Sequence, residues 1–182
     1  MATDQPLDTP LWTFSLAVYG SNGVAEECLD LQERLKLDVN LLLFAAFVGA
    51  VDGVSLNSRD IAAASAVVAD WHSQVVRSLR RARRALKPPS NDAGNPLQDA
   101  SAALRAEVKA AELQSEKIEQ AMLWQWSRQQ FVSSPRGDRA QALSANLHAL
   151  LVFYGVAADQ AEPARIAPRL VAAAAGCTQS AS

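Results

Sequence analysis

Histidine and cysteine are both scarce in this sequence, with two residues of each among 182. His72 and His148 lie in separate segments, neither has a glutamate three residues before it, and neither Cys28 nor Cys177 belongs to a CxxC pair. Carboxylate-bridged di-iron sites and structural zinc sites need such spacings. The sequence therefore predicts no metal ion and no cofactor, and it favours two free thiols, one buried and one exposed, over a disulfide.

The sequence also has no long apolar run, and its first residues are not expected to form a leader segment. The longest uncharged apolar stretch, residues 41–51, is far shorter than the roughly 20 residues that cross a bilayer. Residues 1–10 contain two aspartates, no basic residue and no apolar run, which does not fit a secretory signal. The sequence also lacks the Gly-x-Ser-x-Gly motif of nucleophilic serines and any glycine-rich phosphate-binding loop. We expect a cytoplasmic protein without membrane contact, assign no catalytic residue and lean against an enzyme.

Helical periodicity is what the sequence does contain. No segment alternates with the two-residue period of a half-buried strand, whereas apolar residues recur every three or four positions through most of the chain. Asp38 is a helix-capping residue, and the helix predicted after it, 39–51, is apolar on every face except at Asn40. Such a helix must be surrounded by others. We predict one all-α domain over residues 1–176, an irregular or orthogonal bundle of about seven helices with this helix at its centre.

Several positions in the sequence predict where helices bend, end or give way to a loop. Residues 58–87 have helical periodicity for about 30 residues, so a bend is expected near residues 71–78, although no glycine or proline lies there. The proline- and glycine-rich segment 88–96 predicts a mobile loop, and residues 177–182 predict a frayed tail. Pro168 cannot continue a helix, so two short helices are expected around it.

Three segments of the sequence carry a family resemblance. They are LWTFSLAVY at 11–19, DVNLLLF at 38–44 and AELQSEKIEQ at 111–120. Together with the arginine-rich run that ends at Lys87, they resemble a family of uncharacterised proteobacterial proteins known only as a domain of unknown function. The resemblance extends over residues 10–120. It implies a bacterial, cytoplasmic, helical protein and adds no catalytic residue.

The most prominent charge pattern is a basic helix face, formed by Arg77, Arg80, Arg81, Arg84 and Lys87. It could bind an anion, namely nucleic-acid phosphate, a nucleotide or an acidic protein face. It could equally be a solvated face that pairs with carboxylates, since residues 1–40 hold seven of these against two basic side chains. No aromatic side chain accompanies the arginines for base stacking and the net charge is −2, so a nucleic-acid partner is disfavoured.

An acidic row, Glu112, Glu116 and Glu119, shares one face of a long helix predicted over residues 97–130. This face borders the seam that we expect to be buried, which runs through Leu104, Val108, Ala111, Ser115, Ile118, Met122 and Trp126. One interpretation is an Arg–Glu network between the two helices. The alternative is a polar pocket in which Arg81 or Arg84 holds an anionic ligand and a glutamate acts as a base.

Three functions follow from these patterns. The first is binding of another protein by the basic face and by Trp124, which lies off the seam and would then be an exposed anchor. The second is a small-molecule-binding protein or enzyme that uses the acidic row, Asn40 and the arginines. The third is nucleic-acid binding through the basic helix. The sequence favours the first, and an enclosed cavity lined by the three glutamates and Asn40 would favour the second.

Overall fold

The computed structural model describes residues 7–87 and 96–177, and within them every regular element is a helix. The all-α prediction is confirmed. The helices are α1 (Pro10–Tyr19), α2 (Val24–Leu35), α3 (Val39–Ala50), α4 (Ser58–Trp71), α5 (Arg77–Ala85), α6 (Pro96–Gln130), α7 (Arg139–Phe153), α8 (Pro163–Ile166) and α9 (Pro168–Gly176). Predictions for residues 88–95 and 178–182 lie outside the described part of the chain.

Helix α3 is the apolar helix that the sequence places at the centre. Every residue from Asn40 to Ala50 is buried. Asp38 caps the helix by accepting a 2.9 Å hydrogen bond from the Asn40 amide. Helix α7 packs directly on α3, because a Cβ atom at Gly49 would lie only 2.5 Å from the Leu143 Cα atom. Helices α1, α6 and α9 cover the other sides.

The long helix of residues 58–85 contains the expected irregularity. A π turn, His72–Val76, joins α4 to α5 in one continuous helical rod. Such turns are frequent at functional sites, because the extra residue redirects the side chains around it. Near the other end of the chain, α9 begins at Pro168 directly after α8, which confirms the prediction of two short helices.

The buried face of helix α6 differs in part from the one that its sequence predicts. Leu104 and Ala111 of the expected seam are exposed. The buried positions are largely polar, namely Glu112, Ser115, Glu119, Gln120, Leu123 and Ser127. The seam prediction was therefore wrong at Leu104 and Ala111, whereas Ser115 is buried and the other seam residues, Val108, Ile118, Met122 and Trp126, are partly buried. Polar side chains tolerate burial where neighbouring helices supply hydrogen-bond partners, as α3 and the α4–α5 rod do here.

Two smaller predictions concern the thiols and the membrane. Cys28 and Cys177 are both free, the first fully buried and the second partly buried. Burial raises the pKa of the Cys28 thiol to about 12. Across residues 7–87 and 96–177, no helix combines the length and the apolarity needed to cross a bilayer.

Candidate functional site

Three titratable side chains meet where α6 crosses α3 and the π turn. We call Asp38, His72 and Glu119 the buried triad. His72 Nδ1 lies 3.0 Å from Glu119 Oε1 and 3.2 Å from Asp38 Oδ2. Glu119 is 0% exposed and Asp38 only 8%. The fold thus brings together an N-cap residue, the first residue of the π turn and a residue in the middle of α6.

The remaining oxygens of the triad are held by neighbouring polar groups. Asn40 donates from Nδ2 to Glu119 Oε2 at 2.8 Å and accepts from Gln120 Nε2 at 2.9 Å. Asp38 Oδ1 accepts from the backbone amide of Asn40 at 2.9 Å, and the backbone amide of Asp38 donates to the Tyr154 hydroxyl at 3.1 Å. Both carboxylates therefore sit in fixed orientations, each with one oxygen turned towards His72.

The environment of the triad shifts two of its pKa values. Burial, strengthened by the neighbouring Glu119 charge, raises the pKa of Asp38 to about 8. Burial lowers the pKa of His72, but the hydrogen bond to Glu119 and the charge of Asp38 outweigh that effect, so its pKa is raised overall. Asp38 and His72 therefore retain protons at neutral pH more readily than the same groups do in water.

A second cluster joins the basic helix to the acidic row. Arg80 donates from Nε to Glu112 Oε1 at 3.1 Å and from Nη2 to Glu116 Oε1 at 2.7 Å, and it also bonds Gln32. Arg83 pairs with Glu112 as well. This is an Arg–Glu network between α5 and α6, built on Arg80 and Arg83 rather than on Arg81 and Arg84.

Charges within this network set two pKa values in opposite directions. Burial raises the pKa of Glu112, but hydrogen bonds from Arg83 and Arg80 outweigh it, so the pKa is lowered overall. Burial raises the pKa of Glu116, and the single partner Arg80 does not fully compensate. Glu119, the third member of the row, turns away from the arginines and belongs to the buried triad.

The other candidate residues lie at the surface or in the core. The outer side of α5 and the end of that helix carry four exposed basic side chains, Arg77, Arg81, Arg84 and Lys87. Trp124 is only partly exposed and packs against the core, with its ring 6.0 Å from the Arg128 guanidinium carbon. The expectation that Trp124 is an exposed side chain was therefore wrong.

A half-open cavity of about 480 Å³ lies between α1, α2, α3, α5 and α6. Asn40, Glu112 and Glu116 line it, whereas Glu119, which the small-molecule interpretation also places in its cavity, does not. Ser15 and Gln120 line it too, and within the described residues Ser15 Oγ and Gln120 Oε1 are buried without any hydrogen-bond partner. Ser15 could not be recognised from the sequence, because one serine in an apolar helix resembles an ordinary core residue.

A separate groove of about 640 Å³ reaches the buried triad from the other side. Asp38, His72 and Tyr154 line it together with five cationic side chains, Lys36, Arg77, Arg80, Arg81 and Arg84. Arg80 and Gln32 each line the groove as well as the cavity. The hydrogen bond between them therefore lies between these two spaces. Sequence reasoning missed His72 as a site residue, although the expected bend at residues 71–78 marked its position.

Comparison with known proteins gives a family and no activity. Residues 10–123, more than half of the chain, match the model of a family described as a protein of unknown function, DUF2390. No curated protein and no solved structure matches the chain. The matched segment includes all three residues of the buried triad and most of the cavity wall, and it agrees with the resemblance over residues 10–120. The chain therefore belongs to the DUF2390 family of proteins of unknown function.

Proposed function

We propose that the protein binds an amphipathic organic anion in the cavity between α1, α2, α3, α5 and α6. The observation that carries this proposal is the pair of buried, unpartnered atoms, Ser15 Oγ and Gln120 Oε1, on residues that line the cavity. Leaving a buried polar atom without a partner costs about 1–3 kcal/mol. A bound ligand with a hydrogen-bonding group would remove that cost.

The apolar side chains that line the cavity indicate that the ligand has an apolar body. Trp12, Tyr19 and Leu43 contribute large apolar surfaces. Leu16 and Leu113 also line the cavity and are 55% and 53% exposed, so part of its wall is apolar surface open to water. A volume of about 480 Å³ is within the usual range for small-molecule sites.

The charges around the cavity support an anionic group on the ligand. Arg80, Arg83, Arg84 and Lys109 line it against two carboxylates, Glu112 and Glu116. Arg80 and Arg83 are occupied by those carboxylates. Arg84 and Lys109 form no ion pair with any residue that the structure describes, so they are available to a carboxylate or sulfonate.

Decanoate, titrated into the protein by calorimetry, tests this proposal. Decanoate should bind more tightly than decylamine, and Arg84→Glu combined with Lys109→Glu should reduce or invert that preference. Arg77→Glu, which changes a cation outside the cavity, should leave the preference unchanged. Equal binding of the anion and the amine by the wild-type protein would contradict the proposal.

A matched pair of leucine variants locates the binding site. Leu16 lines the cavity at 55% exposed, whereas Leu104 lies on α6 away from it at 48% exposed. Leu16→Trp should weaken decanoate binding by narrowing the cavity, and Leu104→Trp should not. Similar affinities for the two variants would place decanoate elsewhere.

An acidic protein face is the second candidate ligand, and the exposed basic side chains of α5 support it. Arg77 and Arg81 are exposed and form no ion pair with a described residue. A partner that binds the wild-type protein but not the Arg77→Glu/Arg81→Glu variant, while decanoate binding stays intact, would favour this function. Either role fits the bacterial cytoplasm, which the sequence favours as the location.

A further inference from the structure

We propose that the buried triad binds one divalent first-row transition ion through Asp38 Oδ2, His72 Nδ1 and Glu119 Oε1. These three donor atoms lie within 4.8 Å of one another, and the nitrogen is 3.0 and 3.2 Å from the two oxygens. In a site with metal–ligand bonds of about 2.0–2.2 Å, neighbouring ligand atoms are roughly 3–3.5 Å apart. The donor atoms are therefore already spaced as the ligands of one metal ion would be.

Charge balance is the second argument for a cation. Two carboxylates are buried beside one imidazole, and the nearby Arg80 guanidinium bonds Glu112, Glu116 and Gln32 instead. Buried charges in proteins are paired or coordinate metal ions. A divalent cation would replace the protons that Asp38 and His72 otherwise hold, without any rearrangement of the Arg–Glu network.

The outer hydrogen bonds hold one oxygen of each carboxylate and leave the other facing His72. Asp38 Oδ1 accepts from the backbone amide of Asn40, which leaves Oδ2 facing His72. Glu119 Oε2 accepts from Asn40 Nδ2, which leaves Oε1 facing His72. Outer-shell bonds of this kind fix the orientation of metal ligands in known sites. Asn40 therefore acts as a positioning residue for both carboxylates.

The ligand set and the groove indicate the class of ion and its surroundings. One imidazole with two carboxylates suits Zn²⁺, Mn²⁺ or Fe²⁺ better than the all-oxygen shells of Mg²⁺ and Ca²⁺. Three protein ligands leave at least one coordination position open, as in catalytic zinc sites. Asp38 and His72 line the cationic groove, so an anionic co-ligand could reach that position.

Zinc titration of the metal-stripped, full-length protein by calorimetry tests the proposal. We expect one Zn²⁺ per chain, with weaker or no binding of Mg²⁺. His72→Ala should lower the zinc affinity by at least about 100-fold, and Asn40→Ala by roughly 10- to 100-fold, as outer-shell substitutions usually do. Absence of zinc binding by the wild-type protein, or unchanged affinity in His72→Ala, would overturn the proposal.

His148→Ala is the matched control, since His148 lies near Asp159 and Glu162 in a surface groove where zinc could bind adventitiously. This variant should bind zinc as the wild type does, and a loss of binding would overturn the assignment. If His72→Ala does not fold, the absorption spectrum of Co²⁺ added to the wild-type protein and to His148→Ala tests the site instead. A four- or five-coordinate spectrum that persists in His148→Ala supports the site, whereas a hexa-aqua spectrum overturns it.

Discussion

The side-chain amide of Asn40 donates a 2.8 Å hydrogen bond to Glu119 Oε2 across the contact between α3 and α6. Asn40 also lines the cavity, whereas Glu119 belongs to the buried triad. Through Gln120, Asn40, Glu119 and His72, a chain of hydrogen bonds runs from the cavity to the groove on the other side. A ligand that bonds Gln120 Oε1 would therefore contact the same network that orients the triad.

Removal of the Asn40 side chain should destabilise the fold. Asn40→Ala leaves Glu119 Oε2 and Gln120 Nε2 buried without their present partner. We expect the free energy of unfolding to fall by about 3 kcal/mol, since each stranded polar group costs about 1–3 kcal/mol. Urea denaturation measures this change. Asn22→Ala, in an exposed turn, is the control and should change stability by less than about 0.5 kcal/mol.

Two arginines of the basic helix should differ sharply in their effect on stability. Arg80→Ala removes the arginine partner of Glu116, one of the two arginine partners of Glu112 and the donor to Gln32. It should cost about 3 kcal/mol, because Glu116 loses its counter-charge and the buried Glu112 loses part of its own. Arg77→Ala changes an exposed side chain and should cost less than about 0.5 kcal/mol. Equal melting temperatures for the two variants would mean that the network contributes nothing to stability.

Glu112 and Glu116 should give opposite pH dependences of stability. The pKa of Glu112 is lowered because the Arg83 and Arg80 hydrogen bonds outweigh burial, so its contribution is present above about pH 4.3 and is lost as the pH falls through the folded value. Burial raises the pKa of Glu116, so its contribution is present below about pH 4.3 and is lost as the pH rises through the folded value.

Denaturation curves between about pH 3 and 7 separate these two effects. Glu112→Gln should reduce the loss of stability in acid, and Glu116→Gln should make stability rise more steeply with pH. The wild-type protein provides the reference slope. A change of the same sign in both variants would contradict the assignment of opposite pKa shifts.

The contact between α3 and α7 should tolerate no side chain at Gly49. A Cβ atom there would lie 2.5 Å from the Leu143 Cα and 2.6 Å from its backbone nitrogen, so Gly49→Ala must separate the two helices. Overpacking of this kind costs about 1–3 kcal/mol, which thermal denaturation would detect. Gly176→Ala is the control, because no atom lies within 4 Å of a Cβ at that position. Unchanged stability in Gly49→Ala would show that α7 can shift freely.

The path of the chain through its helices could be predicted because it depends on local chemistry. Asp38 supplies the side-chain oxygen that caps α3, and the apolar residues behind it leave α3 no stable position except the centre. Pro168 has no backbone N–H to donate, so it cannot continue the preceding short helix and instead begins the next one. The irregularity at residues 72–76 was expected from helix length alone, without its π geometry.

The buried triad and the buried face of α6 could not be predicted in the same way. Hydrophobic periodicity assigns glutamate and glutamine to solvent, yet Glu119 and Gln120 are buried because Asn40 bonds both. Asp38, His72 and Glu119 lie on three separate elements, and no spacing along the chain records their contact. The sequence alone determined an all-α chain around an apolar central helix, since caps, breakers and apolar stripes act within one helix. Only the tertiary structure decided which polar groups are buried, because burial of a polar group depends on partners that other helices supply.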